Sequence, residues 1–141
     1  MTNENRKKNI AAEVRRGNET LEAAQILFDA GKLADAISRA YYGAFHYARA
    51  LLFMLGEEAR THGGVDRILQ RDLVREGLLD PEAARLLARL MTYRCEADYT
   101  AEYVFTPSAA REELDAAKRF VQEAKRVLVN GGWIEPQATA P

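Results

Sequence analysis

Wherever this chain is patterned, its apolar residues recur at three- and four-residue steps, and no stretch alternates polar with apolar like a half-buried strand. That period lays them along one face of a helix, so a core forms only by packing helix on helix. An all-α fold follows, a single-domain bundle of about five helices. The first spans about Asn5 to Ala30, with Ile10, Val14, Leu21, Ala24, Leu27 and Phe28 on one side and Gly31 closing it. It is expected to weaken at Gly17-Asn18, because glycine favours the coil. The second spans about Leu33 to Leu55 and stops at Gly56. So short a connection makes the pair a long antiparallel hairpin at the core of the bundle. The third starts at Thr61 or His62 and ends near Glu76-Gly77. The fourth is capped by Asp80 with Pro81 at its first position and reaches Tyr99. The fifth repeats that signal at Thr106-Pro107 and ends at Asn130-Gly131-Gly132. Residues 1–132 thus read as one helical domain and 133–141 as a C-terminal tail, expected to be mobile beyond Ile134.

A chain of 141 residues with 48% hydrophobic and 29% charged residues suits one domain with a real core. No run of apolar residues approaches a membrane span, and Met1 to Lys8 is polar, so a soluble, cytoplasmic protein is expected, with no membrane partner. The single cysteine, Cys95, rules out an intrachain disulfide and a thiolate zinc site. With only His46 and His62 as imidazoles, neither a metal nor another cofactor is expected. The net charge of -1 argues against a surface coated for tight, non-specific nucleic-acid binding, while leaving room for local patches. Arginine outnumbers lysine 15 to 5. That bias favours planar, bidentate partners such as carboxylate or phosphate, although G+C-rich codons produce the same excess.

The second helix carries two stripes. Ile37, Ala40, Tyr41, Ala44, Phe45, Ala48, Leu52 and Leu55 form an apolar one. Ser38, Tyr42, His46 and Arg49 form a polar one, with Arg39 beside it. A helix serving a core alone has no use for the second stripe. On the fourth helix Arg94 and Asp98 lie one turn apart and either pair with each other or share a site with the polar stripe. His62 precedes Gly63-Gly64 at a helix start, where it either helps the turn or moves a proton at neutral pH. His46 is read either as an interface residue or as a binding residue. Arg67, Arg71 and Arg75, with Arg60 upstream, make a ridge that either meets phosphates or pairs with Asp66, Asp72 and Glu76. Cys95 has no evident activating base and is not read as a nucleophile. Phosphate-cradling glycine loops, zinc signatures and nucleophile elbows are absent from the sequence.

Three separated segments, Ser38-Arg39-Ala40-Tyr41-Tyr42-Gly43-Ala44-Phe45-His46, Thr61-His62-Gly63-Gly64-Val65 and Arg94-Cys95-Glu96-Ala97-Asp98-Tyr99, resemble in this order the small stand-alone prokaryotic branch of the HEPN family. The resemblance spans roughly Leu21 to Leu128. It implies a bundle of about five helices, a homodimer, and in many members a minimal nucleotidyltransferase partner with which they form toxin and antitoxin pairs. Active members are metal-independent endoribonucleases in which an arginine is followed a few residues later by a histidine, and the motifs of two protomers meet at the dimer cleft. Carried onto this chain, Arg94 stands at the arginine position and Tyr99 at the histidine position, so the motif is degenerate, and a tyrosine is a poor base at neutral pH. Either His62 or His46 completes the site, or the fold serves as a non-catalytic module that binds a nucleotide or a protein. The expected catalytic set is Arg94, Asp98, Tyr99 and His62. The expected binding set for RNA or a nucleotide is Ser38, Arg39, Tyr42 and His46, with weak cleavage or none.

Overall fold

Five α-helices, and among the described residues no strand, make up the computed structural model over residues 1–136: α1 Asn3–Asp29, α2 Leu33–Met54, α3 His62–Ile68, α4 Pro81–Tyr99 and α5 Pro107–Asn130. The expected mobile end lies, from residue 137 on, outside the described residues. The helix starts follow the capping logic of the sequence. The side-chain oxygens of Thr2, Thr61, Asp80 and Thr106 accept backbone N–H bonds from the first turns of α1, α3, α4 and α5, and Pro81 and Pro107 open the last two. Thr61, not His62, therefore caps α3. Between α1 and α2, Gly31 takes a φ of +79° and the Lys32 N–H returns to the Leu27 carbonyl at 2.8 Å, which folds the hairpin back on itself.

Helix α2 is the centre, packed against α1, α4 and α5. Ala40, Ala44, Ala48 and Leu51 on α2 are fully buried with Ile10 and Ala24 of α1 and Ala117, Phe120 and Ala124 of α5. Alanines at successive turns let the helix axes come close, and Trp133 and Ile134 pack on the same core after α5 ends.

The expected weak point at Gly17-Asn18 does not exist, since α1 runs unbroken through it. Gly17 is buried, and a Cβ there would lie 2.8 Å from the Tyr47 ring and 3.2 Å from the Gly43 carbonyl oxygen. Asn18 accepts the Tyr47 hydroxyl proton at 2.5 Å. The glycine is thus where α2 seats its fully buried tyrosine, and packing outweighs the coil preference.

The third helix also departs from expectation. Its α-helical part ends at Ile68 and a π-helical stretch follows over Leu69–Val74, with the Arg75 N–H bonded to the Gln70 carbonyl at 3.0 Å. The wider turn keeps Leu69 and Leu73 in the core. Arg71 lies on the exposed side and pairs with Asp72 at 2.7 Å and Glu57 at 3.1 Å, so at this position the arginine ridge is a salt-paired face.

Replacing Gly17 by alanine should destabilise the protein by about 1–2 kcal/mol, because overpacking against an anchored ring outweighs the gain in helix propensity. The same change at Gly63, which has nothing within 4 Å of its would-be Cβ, should be neutral or stabilising. Paired urea denaturation curves check both.

Candidate functional site

Two elements build the site. The first turns of α2 present Ser38, Arg39, Tyr41 and Tyr42, and the last turns of α4 present Met91, Arg94, Asp98 and Tyr99. The one-turn spacing of Arg94 and Asp98 brings their side chains together, as the sequence implies: Arg94 Nη1 donates to Asp98 Oδ2 at 3.4 Å. The same carboxylate oxygen accepts from the Ser38 hydroxyl at 3.3 Å, which joins α4 to α2.

Arg94 is 8% exposed. A cation so placed needs compensation. It is met first by rings: Cζ lies 5.4 Å from the Tyr41 centroid, 5.6 Å from Tyr42 and 5.5 Å from Tyr99. Nη1 also donates to the Tyr99 hydroxyl at 3.2 Å, and Nη2 to the Met91 sulfur at 3.2 Å, while Nε is buried without a partner. Burial opposes the charge, but the contacts led by the Tyr99 hydroxyl outweigh it and hold the guanidinium above the ordinary arginine range.

The Tyr41 ring that covers Arg94 is itself in the core, and burial pushes its phenol well above the ordinary tyrosine range. Its hydroxyl lies 3.4 Å from Nδ1 of His62, so a chain of contacts runs from Arg94 through Tyr41 to the start of α3. His62 is held below the usual histidine range, first by burial, with Asp66 acting in the opposite sense and Arg94 in the same one. Tyr41 thus has the His62 imidazole at its hydroxyl and the Arg94 guanidinium over its ring.

An open cleft of about 420 Å³ adjoins Asp98, lined by Leu27, Asp35, Ser38, Arg39, Tyr42 and Asp98. The exposed Arg39 lays its guanidinium over the Tyr42 ring at 5.0 Å. Of the eight residues singled out in the sequence, Ser38, Arg39, Tyr42 and Asp98 line one cleft, Arg94 and Tyr99 join it through the Arg94–Asp98 bond, and His62 touches Tyr41 beside Arg94.

His46 belongs to a different group. Its Nδ1 lies 2.8 Å from Glu13 Oε2 on α1, and Arg49 reaches the other oxygen of Glu13 at 3.4 Å. The polar stripe of α2 is therefore two clusters, one turned to α4 and one to α1. Three members went unrecognised in the sequence: Tyr41, counted only as core, Met91 and Glu13. A buried tyrosine needs a partner for its hydroxyl, and that need was the available signal for Tyr41. Among the described residues no group of three or more histidine, cysteine, aspartate and glutamate side chains is placed to hold a metal ion, and no helix is long and apolar enough to cross a membrane.

The family described as HEPN domain matches residues 11–127. "Putative toxin MJ0605" of Methanocaldococcus jannaschii is 32% identical over 128 residues, which is 91% of this chain and 95% of that protein. "Putative toxin MJ0142" of the same organism is 25% identical over 88% of this chain and 84% of its own length. A "UPF0332 protein" of Archaeoglobus fulgidus is 30% identical over 82% of this chain and 91% of its own.

The lowered pKa of His62 has a consequence for stability. Above its ordinary value of 6.5 the imidazole is neutral folded or unfolded, and its contribution is fully present. As pH falls through that value the unfolded chain takes up a proton that the folded chain resists, and the contribution is lost. Urea unfolding at about pH 7.5 and about pH 5.5 should show the wild type weakening on acidification, and His62→Gln should weaken less. Equal acid sensitivity in the two proteins would contradict the burial of His62.

Proposed function

The chain belongs to the HEPN family, and on that premise we propose that it is the toxin-like half of a toxin and antitoxin pair, paired with a minimal nucleotidyltransferase. In this reading residues 1–132 form the working domain, two copies form a homodimer in the cytoplasm, and the cleft beside Arg94 receives RNA. The observation that carries the reading is Arg94, a buried arginine stacked among Tyr41, Tyr42 and Tyr99 and bonded to Asp98, which lines an open cleft. An arginine already desolvated is pre-set to grip a phosphate, because charge-assisted hydrogen bonds strengthen where water is excluded. Nη1, shared between Asp98 and Tyr99, is the donor a phosphate oxygen takes over, and Asp98 then keeps Ser38 as its partner.

Cleavage by this site is a metal-independent transesterification. The ribose 2′-hydroxyl gives its proton to an imidazole, its oxygen bonds to phosphorus as the bond from phosphorus to the 5′-oxygen breaks, and the 5′-oxygen leaves with a proton taken from water. His62 is the imidazole in the chain of contacts, but it bonds to Tyr41 and not to Arg94, and Tyr99 stands where active relatives place histidine. Turnover is therefore slow. The names of the two Methanocaldococcus jannaschii relatives support the toxin reading. A second reading, a module that binds RNA or a nucleotide without cleaving it, is favoured by one feature: the Arg94 donors already have partners within the chain.

Arg94→Ala should weaken RNA binding by about 10- to 100-fold, the loss of a charge-assisted contact, and should remove whatever cleavage the wild type shows. Chelators should leave both unchanged. His62→Ala should slow cleavage without weakening binding. Sedimentation should give a dimer, not the 15.8 kDa monomer. RNA binding that is unaffected by Arg94→Ala, measured by fluorescence anisotropy, overturns the reading.

A further inference from the structure

Tyr99 is 75% exposed, unusual for so large a ring, yet it is not loose. Arg94 Nη1 donates to its hydroxyl at 3.2 Å and the guanidinium carbon stands 5.5 Å from its centroid. One buried cation therefore fixes an otherwise exposed ring at the last position of α4, with most of its surface left to solvent. Beyond it, Tyr103 and Val104 are 46% and 85% exposed, and the Tyr103 ring leans on Phe105 at 4.6 Å. Asp98, the residue before Tyr99, lines the cleft, whose exposed cation is Arg39.

A pre-ordered aromatic face beside two arginines is the combination that holds single-stranded nucleic acid: cations take the phosphates and rings take the bases by stacking. The cleft, at about 420 Å³, is within the size range of small-molecule sites, and its lining mixes charged and hydroxyl groups with aromatic surface. A purely apolar partner surface would cover the charges of Asp35 and Arg39 and offer them no polar group in return.

We propose that Tyr99 is a stacking platform for a nucleobase, so that the ligand of this site is a ribonucleotide unit with its phosphate at Arg94 and the neighbouring base laid on the Tyr99 ring. This rests on the reading of Arg94 as a phosphate site. It replaces proton transfer with binding as the role of the residue at the histidine position. The unit comes either from an RNA strand or from a free nucleotide, which share this chemistry.

The test uses the full chain and an oligoribonucleotide carrying 2-aminopurine, whose fluorescence drops when the base stacks. The wild type and Tyr99→Phe should both bind and quench it, because phenylalanine keeps the ring. Tyr99→Ala should bind about 5- to 150-fold more weakly, the worth of one stacked base, and lose the quench. Displacement of the oligonucleotide by AMP at comparable concentration identifies a free nucleotide as the source, and failure of AMP to displace it identifies a strand. Either result agrees with stacking. If Tyr99→Ala binds and quenches like the wild type while Arg94→Gln does not bind, stacking is wrong and the phosphate reading stands. If neither change matters, or the wild type binds no RNA and no AMP, both fall. If Tyr99→Ala binds normally but sediments as a monomer, the ring covers a second copy of the chain and the proposal is overturned.

Discussion

Taking the Arg94 guanidinium out of water is the constraint around which the rest is arranged. Moving such a charge into a protein interior costs several kcal/mol unless it is met by opposite charge, hydrogen bonds or π-faces. Three helices supply these. Helix α2 brings Tyr41, Tyr42 and, through Ser38, an anchor for Asp98; α4 brings Asp98, Tyr99 and Met91; α3 is tied in where Tyr41 meets His62. Removing the cation would leave Asp98 and three aromatic rings without the group that orders them. A single side chain thus links the packing of the bundle to the chemistry at its surface.

That arrangement requires α2 to be held firmly on its other sides. Gly17 and Gly43 do much of this, since a Cβ on either would run into the opposite helix: Tyr47 in one case, Leu21 at 2.7 Å in the other. Their absence of side chains lets α1 lie close along α2, fixing its rotation so that Ser38 and Tyr42 face α4 while His46 and Arg49 face Glu13. The core face and the site face of α2 are consequences of the same close approach.

The fold was largely legible in the sequence because it rests on local signals. Periodicity named the helices, and Asp80-Pro81 and Thr106-Pro107 marked two starts to the residue. The half of the site formed by Arg94 and Asp98 was legible for the same reason, being set by a one-turn spacing. What escaped depends on partners far apart in the chain. Nothing near His46 announces Glu13, and a glycine in mid-helix reads as weakness until the ring that occupies its place is known. Tyr41 was counted with the core by its spacing, which is right for its ring and silent about its hydroxyl. The π-helical stretch was invisible because its residues are ordinary helix formers, and only tertiary packing selects the wider turn.

That stretch bears on which length changes the chain tolerates. A π-turn over Leu69–Val74 holds one more residue than an α-turn of the same span, so it resembles an absorbed insertion. In a regular helix, dropping one residue rotates everything downstream by about 100°. Here the wider turn has a residue to give up, and Gln70 within it is exposed while Leu79, just before α4, is buried. The third helix is thus the segment in which a one-residue change of length is absorbed most cheaply between the hairpin and the site.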